Sequence, residues 1–126
     1  MALHGLDHVN IKCADLARSR AFYTEVLGMT DGERPPFPVP GAWLYLGGRP
    51  VVHLVGGTAS AAESTGNFDH VAFEADDFDA MRARLQAQAI AFQENIFAAA
   101  GLKQLFFPDP DGVKIELNFR DQSRMV

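Results

Sequence analysis

The sequence contains one strand pattern twice, about half a chain apart. Leu6-Asp7-His8-Val9-Asn10-Ile11 and Phe68-Asp69-His70-Val71-Ala72-Phe73 each place an apolar residue before Asp-His-Val and then continue in alternation. The two histidines lie 62 residues apart in a chain of 126 residues. Alternation with a period of two is typical of a half-buried strand. A strand that recurs at half-chain spacing predicts that the protein consists of two copies of one unit.

Both halves predict the same order of elements, β-α-β-β-β. The first half predicts a strand over 6–13, a helix from a cap at Asp15 to a stop at Gly28, a short strand over 29–33 and a hairpin over 42–55. The second half predicts a strand over 68–75, a helix capped at Asp76 or Asp77, a short strand over 89–94 and a hairpin over 102–119. Between these elements, the stretch from Arg34 to Gly41 holds four prolines and predicts a stiff loop.

These elements predict an α+β fold in which two βαβββ modules form a curved mixed β-sheet trough with flanking helices. We expect a single domain over 1–126, with module one at 5–56, a linker at 57–66 and module two at 67–119. The linker is predicted because its Gly, Ala, Ser and Thr residues leave almost nothing to bury.

Composition excludes several classes of protein. The formal net charge of −5 argues against a nucleic-acid partner, which would need a basic patch. No apolar run approaches the roughly 20 residues of a membrane-spanning helix, and no leader pattern is visible, so no membrane partner is expected. The single cysteine, Cys13, cannot form an internal disulfide. We therefore expect a cytoplasmic protein whose partner is a small molecule.

Residues that can bind a metal occupy two pairs of equivalent positions. His8 is equivalent to His70, and His53 is equivalent to Glu116 at a spacing of 63 residues. Alternation in the last strand turns Glu116 away from its apolar neighbours, toward water, a cavity or a partner. Three imidazoles and one carboxylate suit a borderline divalent ion such as zinc, nickel, iron(II) or manganese(II).

Each of these residues also has a structural explanation. A strand histidine is often only half-buried packing, and Glu116 could be a plain solvent-facing carboxylate. The repeat favours metal binding because chance would have to fill every equivalent position with a ligand-type side chain. If a cleft lies there, the candidates to line it are Asn10 and Asn118, two residues from His8 and Glu116, together with Arg34, Phe37 and Lys103.

The chain resembles the vicinal oxygen chelate superfamily over about its whole length. The resemblance is carried by Leu6-Asp7-His8-Val9, Ala21-Phe22-Tyr23 with Val26-Leu27-Gly28, Phe68-Asp69-His70-Val71-Ala72-Phe73 and Asp109-Pro110-Asp111-Gly112-Val113-Lys114-Ile115-Glu116-Leu117. It implies paired βαβββ modules, a homodimer, and metal ligands from the first and last strand of each module. Those ligand positions match His8, His53, His70 and Glu116.

His53 is the one departure from the family pattern. Glyoxalase-like and epimerase-like members carry Glu or Gln at this position, whereas extradiol dioxygenases use two histidines and a glutamate that match His8, His70 and Glu116. The leading expectation is a metal-dependent lyase or isomerase of glyoxalase type, like lactoylglutathione lyase, with Glu116 or His53 as the general base. The alternatives are an iron(II) extradiol ring-cleaving dioxygenase and a metal-free, ligand-sequestering protein of the bleomycin-resistance type.

Overall fold

A computed structural model describes Met1 and residues 4–57 and 68–121. The chain divides into two compact units, Met1–Ala61 and Ala62–Val126. Apart from residue 57, the predicted linker lies outside the described residues. Each unit is described by itself below.

The two units repeat one order of elements. The first unit contains β1 (Val9–Lys12), α1 (Leu16–Ala21), a π-helical turn (Phe22–Val26), β2 (Thr30–Gly32), β3 (Gly41–Leu46) and β4 (Arg49–Val55). The second contains β5 (His70–Ala75), α2 (Phe78–Ala87), β6 (Gln93–Phe97), a single 3-10 turn (Ala98–Ala100), β7 (Leu102–Pro108) and β8 (Lys114–Arg120). No helix in these described stretches has the length and apolar character needed to span a bilayer.

Each unit forms one four-stranded mixed sheet with the same topology. The strand orders are β1-β4-β3-β2 and β5-β8-β7-β6, and in both sheets the first strand runs parallel to the last. The other neighbours are antiparallel. The predicted α+β fold built from two βαβββ modules is therefore confirmed at the level of the modules.

Both helices begin where the aspartates predict. The carboxylate of Asp15 accepts a hydrogen bond from the backbone N–H of Arg18 at 3.1 Å, and Asp77 accepts one from the N–H of Ala80 at 3.2 Å. Each bond satisfies a backbone donor that the first turn of a helix leaves without a partner. Of the two predicted caps in the second unit, the structure selects Asp77.

Two predicted elements differ from the structure. The helix expected to continue to Gly28 becomes a π-helical turn after Ala21, where the Thr24 hydroxyl donates to the carbonyl of Arg20 at 2.9 Å. Such a bond competes with the regular backbone ladder and distorts a helix. The strand expected at 89–94 starts at Gln93 because the N–H of Ile90 still closes the end of α2 on the carbonyl of Leu85 at 2.9 Å.

Each sheet buries one face against its own unit. Alternate residues of the last strands are buried, namely Val52 and Leu54 in β4 and Ile115, Leu117 and Phe119 in β8. In the first unit α1 packs against β3 and β4, and in the second Phe78 of α2 meets Phe119 edge-on at 5.4 Å. Because strand side chains alternate, the intervening residues lie on the opposite face. We call the face that carries His53 or Glu116 the site face of its unit.

Gly41 provides a test of how tightly β3 and β4 approach. A Cβ at this position would lie 2.6 Å from the backbone oxygen of Leu54, whereas at Gly32 it would meet only the side chain of Tyr45. Gly41→Ala should lower the free energy of unfolding by about 1–3 kcal/mol, because a paired strand cannot move aside. Gly32→Ala is the matched control, since both changes restrict the unfolded chain equally. Urea denaturation in which Gly41→Ala is no less stable than Gly32→Ala would contradict this packing.

Candidate functional site

The register of the parallel pairs gives both units the same site face. Asn10 of β1 lies opposite His53 of β4, and Ala72 of β5 lies opposite Glu116 of β8. These partners are equivalent in the repeat, at spacings of 62 and 63 residues. Residues two apart share a face, so each preceding histidine joins its partner on the site face. The pairing predicted from sequence is thus present within each unit.

In the second unit, His70 and Glu116 are in direct contact. The Nε2 of His70 lies 3.0 Å from Oε1 of Glu116, and its Nδ1 lies 2.7 Å from Oδ2 of Asp69. The ammonium of Lys114 reaches the same Asp69 oxygen at 3.2 Å. The hydrogen bond from His70, and then Lys114, lower the pKa of Asp69 below its usual value, so this carboxylate stays ionised at neutral pH. The imidazole is therefore fixed at both ring nitrogens.

The second oxygen of Glu116 is held by an amide chain. The Nδ2 of Asn118 donates to Oε2 of Glu116 at 2.8 Å, and Nε2 of Gln104 donates to Oδ1 of Asn118 at 2.9 Å. Gln104 stands opposite Asn118 in the β7–β8 register. Since an ionised carboxylate only accepts hydrogen bonds, these donors set its orientation.

In the first unit, the two histidines stack on each other instead. Their ring centroids are 3.8 Å apart with 9° between the planes, and Trp43 stacks on the other side of His53 at 4.0 Å and 12°. His8 also has its preceding aspartate as a partner, with its Nδ1 2.7 Å from Oδ1 of Asp7. His53 is therefore the middle ring of a stack of three.

Burial and hydrogen bonding define the state of His53. The residue is 9% exposed, and its Nε2 lies 3.0 Å from the carbonyl oxygen of Pro50. Because a carbonyl only accepts, Nε2 carries the proton and Nδ1 keeps the lone pair. Burial, followed by the neighbouring His8, lowers the pKa of His53. The ring is therefore neutral at pH 7.

The proline loop meets this stack through Trp43. Phe37 lies with its ring centroid 6.2 Å from that of Trp43, and the guanidinium carbon of Arg34 lies 5.3 Å from the Phe37 centroid. Arg34 also donates to the carbonyl of Val39 at 2.8 Å and so closes the loop on itself. The predicted lining residues Arg34 and Phe37 thus lie next to the His53 stack, with Phe37 about half exposed.

The structure separates the remaining predicted lining residues. Asn10 and Asn118 lie on the site faces of their units, as their spacing predicts. Lys103 lies on the opposite face of its sheet, because it pairs with the buried Phe119 and places its ammonium 5.1 Å from the Phe78 ring centroid. Its neighbour Gln104 takes the place on the site face.

Sequence reasoning did not single out Trp43, although a signal was available. Trp43 lies opposite His53 in β3, as Phe106 lies opposite Glu116 in β7, so both strands carry an aromatic residue at the repeat-equivalent position. Within either unit, the described residues hold no group of three or more side chains that could share a metal ion. Each unit therefore presents a pair of candidate ligands.

Duplicated βαβββ units with such pairs on their site faces define a class of protein, and the comparisons name the family. A sequence model of the Glyoxalase/Bleomycin resistance protein/Dioxygenase superfamily matches residues 5–117. The chain belongs to this superfamily. Its spacing of landmarks, predicted above from the repeat, is that of a family member along nearly the whole chain.

Relatives and solved structures agree with this membership. The chain is 30% identical to Glyoxylase I 4 of Arabidopsis thaliana over 91% of this chain and 70% of that protein. It is also 30% identical to mitochondrial methylmalonyl-CoA epimerase of Bos taurus, over 89% of this chain and 72% of that protein. A glyoxylase/bleomycin resistance protein/dioxygenase domain from Frankia sp. EAN1pec superposes with a TM-score of 0.78 at 25% identity, covering 96% of this chain and 95% of that one.

Asn118→Asp tests the amide chain on Glu116. It would set two carboxylates in contact, and like charges at that distance raise the pKa of the pair. A raised pKa in the folded state means that the destabilisation is present at high pH and is relieved as the pH falls and the pair takes up a proton. In chelating buffer, the variant should lose about 1–3 kcal/mol at pH 8, and less at pH 5.

Gln86→Glu is the control for this change, because it adds the same charge at an exposed position of α2. Its stability should stay within about 0.5 kcal/mol of the wild type at both pH values. A loss in Asn118→Asp that is equal at pH 5 and pH 8 would contradict the contact with Glu116.

Proposed function

We propose that this protein is a divalent-metal-dependent enzyme of the vicinal oxygen chelate type, with lyase or isomerase activity on a small substrate that bears two neighbouring oxygens. One observation carries the proposal: His70 and Glu116 present an imidazole nitrogen and a carboxylate oxygen 3.0 Å apart, and other side chains fix the orientation of both. The zinc, nickel, iron(II) and manganese(II) ions expected from the sequence all accept this mixture of ligands.

The side chains around His70 and His8 fit a metal ion. In both residues the preceding aspartate accepts from Nδ1, which leaves Nε2 as the ligating nitrogen. A carboxylate behind the imidazole is a common arrangement at metal centres, because it fixes the tautomer and raises the basicity of the ligand. His8, His70 and Glu116 would hold the ion, as the sequence predicts for a site that takes ligands from both modules.

His53, the fourth predicted ligand, does not fit in its observed orientation. Its Nε2 is committed to the carbonyl of Pro50, and its ring lies almost parallel to that of His8. We therefore retain His53 as a site residue and omit it from the proposed ligands.

The chemistry follows from charge and proton transfer. A bound divalent ion would stabilise negative charge on two adjacent substrate oxygens. His53 can accept a proton at Nδ1, because its ring is neutral and Nε2 is already occupied. Glu116 is the other candidate base, although both of its oxygens already accept hydrogen bonds or lie against His70. Asn10, Asn118, Gln104 and Phe37 would contact the substrate.

The comparisons support this chemistry. Two relatives at 30% identity are named Glyoxylase I 4 and methylmalonyl-CoA epimerase. Both names fit reactions that move a proton at a carbon beside a carbonyl group. Family membership also supports the sequence prediction of a homodimer, and a cytoplasmic location remains part of the proposal.

Metal binding is the first test. Addition of zinc, nickel or manganese(II) to chelator-treated protein should raise the melting temperature, since an ion at 100 times its dissociation constant stabilises the folded state by about 2.7 kcal/mol. The best ion should support isomerisation of the hemithioacetal of methylglyoxal and glutathione or epimerisation of methylmalonyl-CoA. Glu116→Gln should lose both effects, whereas Glu25→Gln, an exposed control, should keep them. Wild-type protein that binds none of these ions would instead support the metal-free, ligand-sequestering alternative.

A second candidate is ring-opening oxygenation of a catechol. It is favoured by the misfit of His53, because His8, His70 and Glu116 alone form the two-histidine, one-carboxylate set of non-haem iron(II) oxygenases. Anaerobic loading with iron(II), followed by catechol and air, should then give oxygen uptake that His70→Phe abolishes. No uptake by iron-loaded wild type, together with isomerase activity in the preceding assay, would exclude this alternative.

A further inference from the structure

We infer that His53 is a positioning residue: it lies between Trp43 and His8 and holds the His8 ring so that its Nε2 can meet a metal ion, without binding the ion itself. This inference rests on the metal site of the proposed function. It departs from the sequence prediction, which placed His53 among the ligands, and it assigns to Trp43 a role in the same site.

The orientation of the two rings carries the first step. A metal ion binds imidazole along the nitrogen lone pair, in the plane of the ring, at about 2.0–2.1 Å for zinc. The His8 and His53 planes are 9° from parallel, with centroids 3.8 Å apart. An ion in the plane of one ring therefore lies too far from the plane of the other to bind both. Within this stack, only one of the two histidines can ligate a given ion.

Hydrogen bonding decides which of the two it is. His8 has its Nδ1 on Asp7 and its Nε2 directed away from that carboxylate, and its side chain is 37% exposed. His53 is buried, and it donates from Nε2 to the carbonyl of Pro50 within its own strand. Binding through His53 would require the ring to leave two stacked neighbours. His8 is thus the ligand, and His53 is its support.

Trp43 and the proline loop complete the support. Trp43 covers the face of His53 that His8 leaves open, at 4.0 Å between centroids, and Phe37 lies against Trp43. Aromatic contacts of this kind restrict ring rotation as well as burying apolar area. Partners that orient a metal ligand typically contribute 10- to 100-fold in metal affinity. The stack would do for His8 what a hydrogen-bonded side chain does elsewhere.

The decisive experiment compares two substitutions of His53 by their zinc and nickel affinities, measured by competition with a chromophoric chelator. His53→Phe keeps a stacked ring and removes both nitrogens, so its affinity should stay within about threefold of the wild type. His53→Ala removes the ring, so its affinity should fall about 10- to 100-fold. His70→Phe is the matched control, because it makes the same substitution at a proposed ligand and should lose more.

Each outcome has a distinct meaning. An affinity of His53→Phe as low as that of His70→Phe would overturn the inference and restore His53 as a ligand. An unchanged affinity in His53→Ala would overturn the positioning role. Wild-type protein that binds neither ion would overturn the proposed function, and the inference would fall with it.

A measurement on the wild type covers the case in which a His53 variant does not fold. Long-range proton–nitrogen NMR spectra of the histidine rings distinguish protonated, free and metal-bound nitrogens. On addition of zinc, Nε2 of His8 and of His70 should shift, whereas His53 should keep its Nε2–H pattern. A zinc-induced shift on a ring nitrogen of His53 that matches the shift on His70 would overturn the inference.

Discussion

The parallel pairing of the first and last strand is the constraint on which each unit depends. β1 lies beside β4, and β5 lies beside β8, although about 40 residues of chain separate the members of each pair. Parallel neighbours cannot be joined by a tight turn, so the helix and two further strands form the connection. The same pairing sets which side chains meet on the site face, since His70 reaches Glu116 only because Ala72 lies opposite Glu116.

The two units use this common frame to build different surroundings for their pairs. In the second unit, His70 and Glu116 belong to a polar chain that runs from Asp69 to Gln104. In the first, His8 and His53 lie among aromatic rings, and the low polarity there lowers the pKa of His53. A carboxylate at position 53 would be costly in such a place without a compensating charge. An imidazole can be buried there as a neutral ring with one hydrogen bond.

Much of the fold could be predicted because the repeat supplies two readings of each element. The opening strands, the caps at Asp15 and Asp77 and the pairing of His70 with Glu116 all follow from local patterns that recur. The register within the hairpins was harder, because one residue of difference reverses a side chain, as Gln104 and Lys103 demonstrate. The trough in which the two sheets are expected to combine remains a prediction.

The stacking of His8, His53 and Trp43 lay beyond a pattern-based prediction for a different reason. Strand alternation assigns side chains to a face, but rotamers and neighbouring rings decide how they are oriented there. The four candidate ligands could be found from their positions, whereas their hydrogen bonds and ring planes had to be seen. That distinction separates identifying a possible metal site from deciding which of its members bind.

The repeat spacing differs by one residue between the opening strands and the closing strands, 62 against 63. The second unit therefore accommodates one more residue than the first between its parallel strands, with the same pairs still opposite each other. Chain length in the connecting segments is thus free to drift, whereas an inserted residue inside β4 or β8 would turn every following side chain to the opposite face. Insertions and deletions in this architecture should accumulate in the connections and spare the paired strands.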